Sequence, residues 1–171
     1  MCDRRINNGI PNIDAALQTL VHAGIMNSPE YWKNIAEKMP VKFIDSLIIN
    51  MANKCRIIFE KIIYAESQGE GLEGQEYVAN VIMNRAKDSR FPNGIYPVVF
   101  AQNQFTPVAN GAYAKANPSA SVKQAVTNVL NGKDASMGAL FFRTIKGATP
   151  DCWHERALTK LFDHKNHRFY K

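Results

Sequence analysis

The chain has 171 residues, a net charge of +6, 46% hydrophobic residues and 21% charged ones. That is the balance of an ordinary soluble globular protein, long enough for one domain, or one domain with a small appendage, to bury a real core. It excludes a membrane-spanning class, because no apolar run approaches the length of a bilayer crossing.

The opening "MCDRRINNGIPN" has basic residues with no apolar stretch after them, so it does not read as a secretory signal. The expectation is a protein made in the cytoplasm, without membrane insertion, that reaches any outside target only after release. Three widely spaced cysteines, Cys2, Cys55 and Cys152, do not suggest a disulfide framework and read as free thiols. The positive charge favours a polyanionic partner. Nucleic acid and anionic cell-wall polymer both qualify.

Residues 10–54 read as short helices. In "IDAALQTLVHAG", Ile13, Leu17, Leu20 and Val21 recur at helical spacing, and Gly24 is a stop. Ser28 and Pro29 then form a helix start. After Pro40, Phe43, Leu47 and Met51 share one face and Ile44 and Ile48 another. Trp32 reads as core. Residues 55–66 predict a strongly apolar helix and 73–88 a second, with Val78, Val81, Ile82 and Arg85 along one side. Arg85 is expected to interact with the end of its own helix. The stretch 90–113 has three prolines and two Asn-Gly pairs, which predict short strands and turns, with "IYPVVF" and "QFTPV" as edge pieces. Helix returns over 119–132, capped by Ser119 or Ser121 and closed by Gly132. "GALFF" is a strand candidate, and the tail mixes a helical portion with an aromatic, basic end. One boundary falls near 53–55. It divides a small helical segment, 1–53, from a main domain, 54–171.

The acidic, glycine-rich stretch "YAESQGEGLEGQ" follows directly on an apolar helix. Positions i, i+3, i+4 and i+7 share a helical face, so Phe59, Ile62, Ile63 and Glu66 form one stripe. Glu60 lines up instead with Tyr64 and Ser67 and is expected to be solvated. A carboxylate on the apolar stripe loses hydration, and the C-terminal end of a helix carries partial negative charge. Both raise its pKa. A glutamate that keeps its proton near neutrality can protonate a leaving-group oxygen. Periodicity alone leaves a second reading open, in which Glu66 sits on a frayed helix end and points to water.

Four blocks, "IIYAESQGEGLEGQEYVANVIMNR", "RFPNGIYPVVF", "QFTPV" and "HRFY", stand in an order that resembles the spore cortex-lytic, SleB/CwlJ-type cell wall hydrolases. The resemblance covers roughly residues 55–170. It implies a mainly helical α+β, lysozyme-like catalytic domain with a small β part, acting on peptidoglycan glycan strands without a cofactor. It also implies a lytic transglycosylase in which one glutamate, here Glu66, is both acid and base. Glu70 would then support the site or bind sugar. The chain departs from the family pattern at Ser67-Gln68, where Ala-Arg is usual, and in lacking the glycine before the final His-x-Phe-Tyr. The first fifty residues do not show the family's usual peptidoglycan-binding repeat. A phage endolysin and a spore enzyme both fit.

Further candidates surround this core. Gln104 offers an amide to a sugar, Thr106 a hydroxyl, Trp153 a cleft-wall aromatic, and His167 and Tyr170 the ends of the last block. Phe105 reads as structural. Cys152, His154, His164 and His167 fit no standard zinc spacing, so no metal is expected. "KNHRFYK" mixes basic and aromatic residues as single-strand binders do, but no recognition helix with clustered basic residues accompanies it, so no nucleic-acid partner is expected. The alternatives are a lysozyme-type hydrolase (muramidase or glucosaminidase), a zinc amidase, and a non-catalytic wall-binding or nucleic-acid-binding protein.

Overall fold

The structure, a computed structural model, describes residues 13–22, 26, 28–38, 42–147 and 149–171. Two short helices, α1 (Ile13–His22) and α2 (Pro29–Lys38), precede the long α3 (Lys42–Ser67). The expected start at residue 55 is overturned. α3 runs unbroken for 26 residues, so the boundary expected near 53–55 falls inside a helix. Its N-terminal half packs Ile48 and Ala52 against Ala16, Leu17 and Leu20 of α1. Leu47 and Met51 face outward instead. The side chains of Phe43 and Ile44, like Gly24, Pro40 and Cys2, lie outside the described residues. Trp32 is not core. The residue is 36% exposed and its ring meets Tyr31 edge-on, while α2 touches α1 through the Lys33–Asp14 pair.

The larger core begins where α3 presents Phe59, Ile62 and Ile63, all fully buried. They meet Val78, Val81 and Ile82 of α4 (Gly71–Lys87) and Val122, Val126 and Val129 of α8 (Ala120–Leu130). Each such side chain contributes about 1.5–3 kcal/mol on burial. α8 starts on Ser119, whose hydroxyl accepts from the Val122 amide, as a capping serine should.

The segment expected as strands is helical. It forms α5 (Ile95–Phe100), α6 (Thr106–Ala109) and α7 (Ala112–Lys115). Pro97 is the third residue of α5 and Pro107 the second of α6. First-turn amides have no intrahelical partner, so proline removes nothing there. Helices of one turn leave no periodicity to read, which is why the prolines looked like strand edges.

After α8 the chain forms β1 (Phe141–Thr144), a single 3-10 turn, α9 (Trp153–Ala157), and the hairpin β2 (Lys160–His164) and β3 (His167–Tyr170). The three strands form an antiparallel sheet in the order β1-β3-β2, with Phe142 opposite Phe169 and Thr144 opposite His167. The architecture is therefore α+β and mainly helical, with a small sheet.

Glu60 corrects a further expectation. It is buried at 6% exposure and accepts from Arg56 Nε at 2.7 Å, while Arg56 Nη2 also donates to Thr127 of α8. The face expected to meet water is the one covered by α8.

Candidate active site

A cleft of about 560 Å³ opens between the end of α3 and the sheet. Glu66 comes from the last turn of α3, Arg85 from α4, Asn103 to Thr106 from the loop into α6, Phe141 to Thr144 from β1, Trp153 and His154 from α9, and His167 from β3.

The end of α3 is closed locally. Ser67 Oγ donates back to Ile63 O at 2.7 Å, and the Glu70 amide donates to Ser67 O at 3.0 Å. Gly71, at φ +72°, turns the chain into α4. Glu66 is thereby held at the cleft floor, partly buried. Loss of hydration pushes its carboxyl up to about 7, and Arg85 opposes that rise.

Arg85 does not serve its own helix end. It is buried, with Nε donating to Leu140 O at 2.6 Å and Nη1 to Gln104 Oε1 at 3.3 Å. The rings of Phe91, Phe105 and Phe141 lie 5.2, 5.4 and 5.3 Å from its guanidinium carbon. Burial lowers its pKa to about 10, and Glu66 opposes that fall. A cation fixed by a carbonyl, an amide and three rings faces the desolvated carboxyl across the cleft. Among the described residues lining the cleft, Glu66 is the one carboxylate.

Glu66, Gln104, Thr106, Trp153 and His167 of the sequence candidates converge here. Gln104 and Thr106 are exposed, with free access to a ligand. Trp153 is 52% exposed and stands edge-on to Phe141 and His154. Phe105 is buried, as expected of a structural ring.

Two candidates lie elsewhere. Tyr170 is wholly buried, and its hydroxyl donates to Glu155 Oε1 at 2.7 Å, so it braces β3 against α9 rather than meeting a ligand. Glu70 is buried beneath the cleft. Its Oε1 accepts from Asn166 Nδ2 at 2.9 Å and its Oε2 from the Asn166 amide at 3.4 Å, while Lys165 Nζ donates to its backbone carbonyl at 2.7 Å. Glu70 does not itself line the cleft.

Sequence reasoning missed Arg85, Arg143 and His154 as cleft residues. For Arg85 a signal existed: it is a charge on an apolar helical stripe, the same signature that singled out Glu66. Burial and the nearby Arg143 hold His154 below the usual imidazole range. Arg143 also donates to Cys152 Sγ. Cys55 and Cys152 are free thiols. Among the described residues, no three His, Cys, Asp or Glu side chains converge in a metal-binding group.

A helical body and a small sheet with a desolvated glutamate in the cleft between them make an α+β domain, and its neighbours among solved structures are lysozyme-like catalytic domains. The family model for cell wall hydrolases matches residues 69–170, and the chain belongs to that family. The match begins just after Glu66 and takes in every other cleft residue. Among solved structures, the catalytic domain of Bacillus cereus SleB superposes with a TM-score of 0.61 at 32% identity, covering 69% of this chain and 91% of that one. The catalytic domain of the germination-specific lytic transglycosylase SleB from Bacillus anthracis gives 0.61 at 31% identity, covering 68% and 93%. The spore cortex-lytic enzyme of Bacillus subtilis strain 168 is 33% identical over 108 residues, 63% of this chain and 35% of that protein. That of Halalkalibacterium halodurans is 32% identical over 130 residues, 75% of this chain and 37% of that protein. The matches span little more than a third of the length of these curated relatives.

Proposed function

We propose that the chain degrades peptidoglycan by cutting the β-1,4 bond between N-acetylmuramic acid and N-acetylglucosamine. It acts as a lytic transglycosylase with Glu66 as acid and base. The observation that carries this reading is the carboxyl at the cleft floor, raised to about 7 by desolvation, with no second carboxylate among the described lining residues. Two-carboxylate glycosidases need the second group to activate water or attack the sugar. A transglycosylase does not, because its nucleophile is the C6 hydroxyl of the muramyl sugar itself, tethered at high effective concentration.

In this mechanism Glu66 gives its proton to the glycosidic oxygen as that bond breaks. The carboxylate left behind is stabilised by Arg85. It then takes the proton of the C6 hydroxyl as that oxygen closes the 1,6-anhydro ring, which restores the acid. Gln104 and Thr106 hydrogen-bond the sugars, and Trp153 stacks on a pyranose face. The +6 net charge favours residence on an anionic wall. Delivery belongs to the same proposal: release from the cytoplasm in phage lysis, or deposition in a spore.

The test is mass spectrometry of soluble products from vegetative peptidoglycan and from spore cortex, with Glu66→Gln in parallel. Anhydro-muropeptides that vanish in the variant are the expected result. Hydrated muropeptides would convert the reading to a lysozyme-type hydrolase. Absence of product from both walls would remove the enzyme reading.

A further inference from the structure

Glu70 is a buried carboxylate whose position does not explain itself. Lys165 reaches its backbone carbonyl, not its side chain. Among the described residues, the cationic or potentially cationic group paired with the carboxylate is His167, with Nδ1 3.8 Å from Oε1. Asn166 holds both carboxylate oxygens and so fixes their direction. The helix beside it carries Gly74, where a Cβ would stand 2.6 Å from Glu70 Cβ and 3.0 Å from His164 Cδ2, so the backbone comes in as close as it can. The imidazole it addresses is 8% exposed, with Nδ1 buried and without a hydrogen bond. Yet the same ring lines the cleft, edge-on to Phe142 at 5.3 Å.

We propose that Glu70 and His167 form a second functional pair of the site: Glu70 holds the imidazole with its Nδ1–H toward the carboxylate, and Nε2 on the far side of the ring accepts a hydrogen bond from a sugar hydroxyl or acetamido N–H in the cleft. His167 is the ligand-contacting residue and Glu70 the positioning residue. The inference rests on the glycan-cleaving reading and deepens it. At 3.8 Å the pair is an electrostatic contact, and a carboxylate beside one ring nitrogen favours the tautomer that carries its hydrogen there, which leaves the other nitrogen as the acceptor.

An acceptor must be neutral. Burial depresses the imidazole pKa, Glu70 opposes this, and His164 on β2 adds to it. The other charged or titratable groups around the ring's two sides are Lys165 in the hairpin turn and, lining the cleft, Glu66, Arg85, Arg143 and His154. Glu70 therefore favours the imidazolium while it aims the ring. Removing its charge moves protonation of His167 to lower pH. The acid limb of activity should follow His167, whereas the alkaline limb follows Glu66.

Two readouts test this on the full chain. NMR titration of the His167 ring should move to lower pH in Glu70→Gln. Turnover on purified peptidoglycan should show the acid limb of kcat/KM moving the same way, with the alkaline limb unmoved. His167→Gln, whose amide falls near the Nε2 position, should keep activity within about tenfold. His167→Asn reaches only the Nδ1 position and should lose about 100-fold at unchanged melting temperature. A titration and acid limb indifferent to Glu70→Gln, or equal losses in the two His167 variants, overturns the pair and leaves Glu70 a structural clamp. Should Glu70→Gln not fold, the two His167 variants decide. A wild-type chain that releases no sugar fragment overturns the parent reading and the sugar contact with it. The coupling of Glu70 to His167 is then read from the titration alone.

Discussion

The middle and the end of α3 each carry a glutamate, and the two have opposite fates. Glu60 is the more deeply buried, but it meets Arg56 at 2.7 Å with Thr127 alongside. Glu66 is less buried, opens on a cleft, and faces an arginine whose hydrogen bonds are given to Leu140 and Gln104. Depth of burial therefore does not by itself mark the carboxyl with the raised pKa. What matters is whether the desolvated charge has a partner committed to it. Glu60 is a structural ion pair, whereas desolvation favours the protonated form of Glu66, the form that the proposed mechanism uses.

Breaking this contrast gives the largest expected effect at Glu66. Glu66→Gln should lower release of muropeptides about 1,000-fold, as loss of a general acid does, while Glu60→Gln should lower it only as far as it lowers stability. Comparable losses in both variants would erase the distinction.

The converse holds for folding. Arg56→Met leaves the Glu60 carboxylate buried without its ion pair and should cost roughly 3 kcal/mol in denaturant unfolding. A cost near zero would mean that Glu60 reaches water after all.

The same contrast can be sharpened by pH. The folded Glu66 carboxyl titrates at about 7 against an ordinary 4.5. A raised pKa means that its stabilising contribution is complete below the ordinary value and lost as pH rises through the folded one. Glu66→Gln should match wild-type stability near pH 4 and exceed it by about 3 kcal/mol at pH 8. Thermal melts across that range check this. Activity should decline above about pH 7 for the same reason.

Arg85 tunes the second glutamate without being consumed by it. Arg85→Gln removes the cation that lowers the Glu66 pKa, so the alkaline limb of activity should move to higher pH while kcat falls about tenfold. An unmoved limb would restrict Arg85 to holding Gln104 and Leu140. The smallest effect belongs to the cleft wall: Trp153→Ala should raise KM about fivefold with kcat little changed, the loss of one stacking surface.

How far the site was legible varies residue by residue. Glu66 could be read because a carboxylate at i+7 on an apolar stripe breaks a local pattern. Arg85 broke the same kind of pattern on the next helix, but its partners lie 19 and 55 residues away, so its role was not legible. Glu60 was misread because α8, which covers that face, is supplied by residues 120–130. Tyr170 and Glu70 were placed in the site by motif, and neither lines the cleft.

The sequence by itself determined the apolar helical turns from 55 to 66, the glutamate at their end, a serine cap on α8 and the family, because helical periodicity and short motifs are local properties of the chain. Tertiary structure alone decided that α5 to α7 are helical turns, that Arg85 faces Glu66, and that a hairpin 96 residues further on grips Glu70. Periodicity states which face of a helix is covered. It does not state what covers it, and at this site the covering groups set the charge.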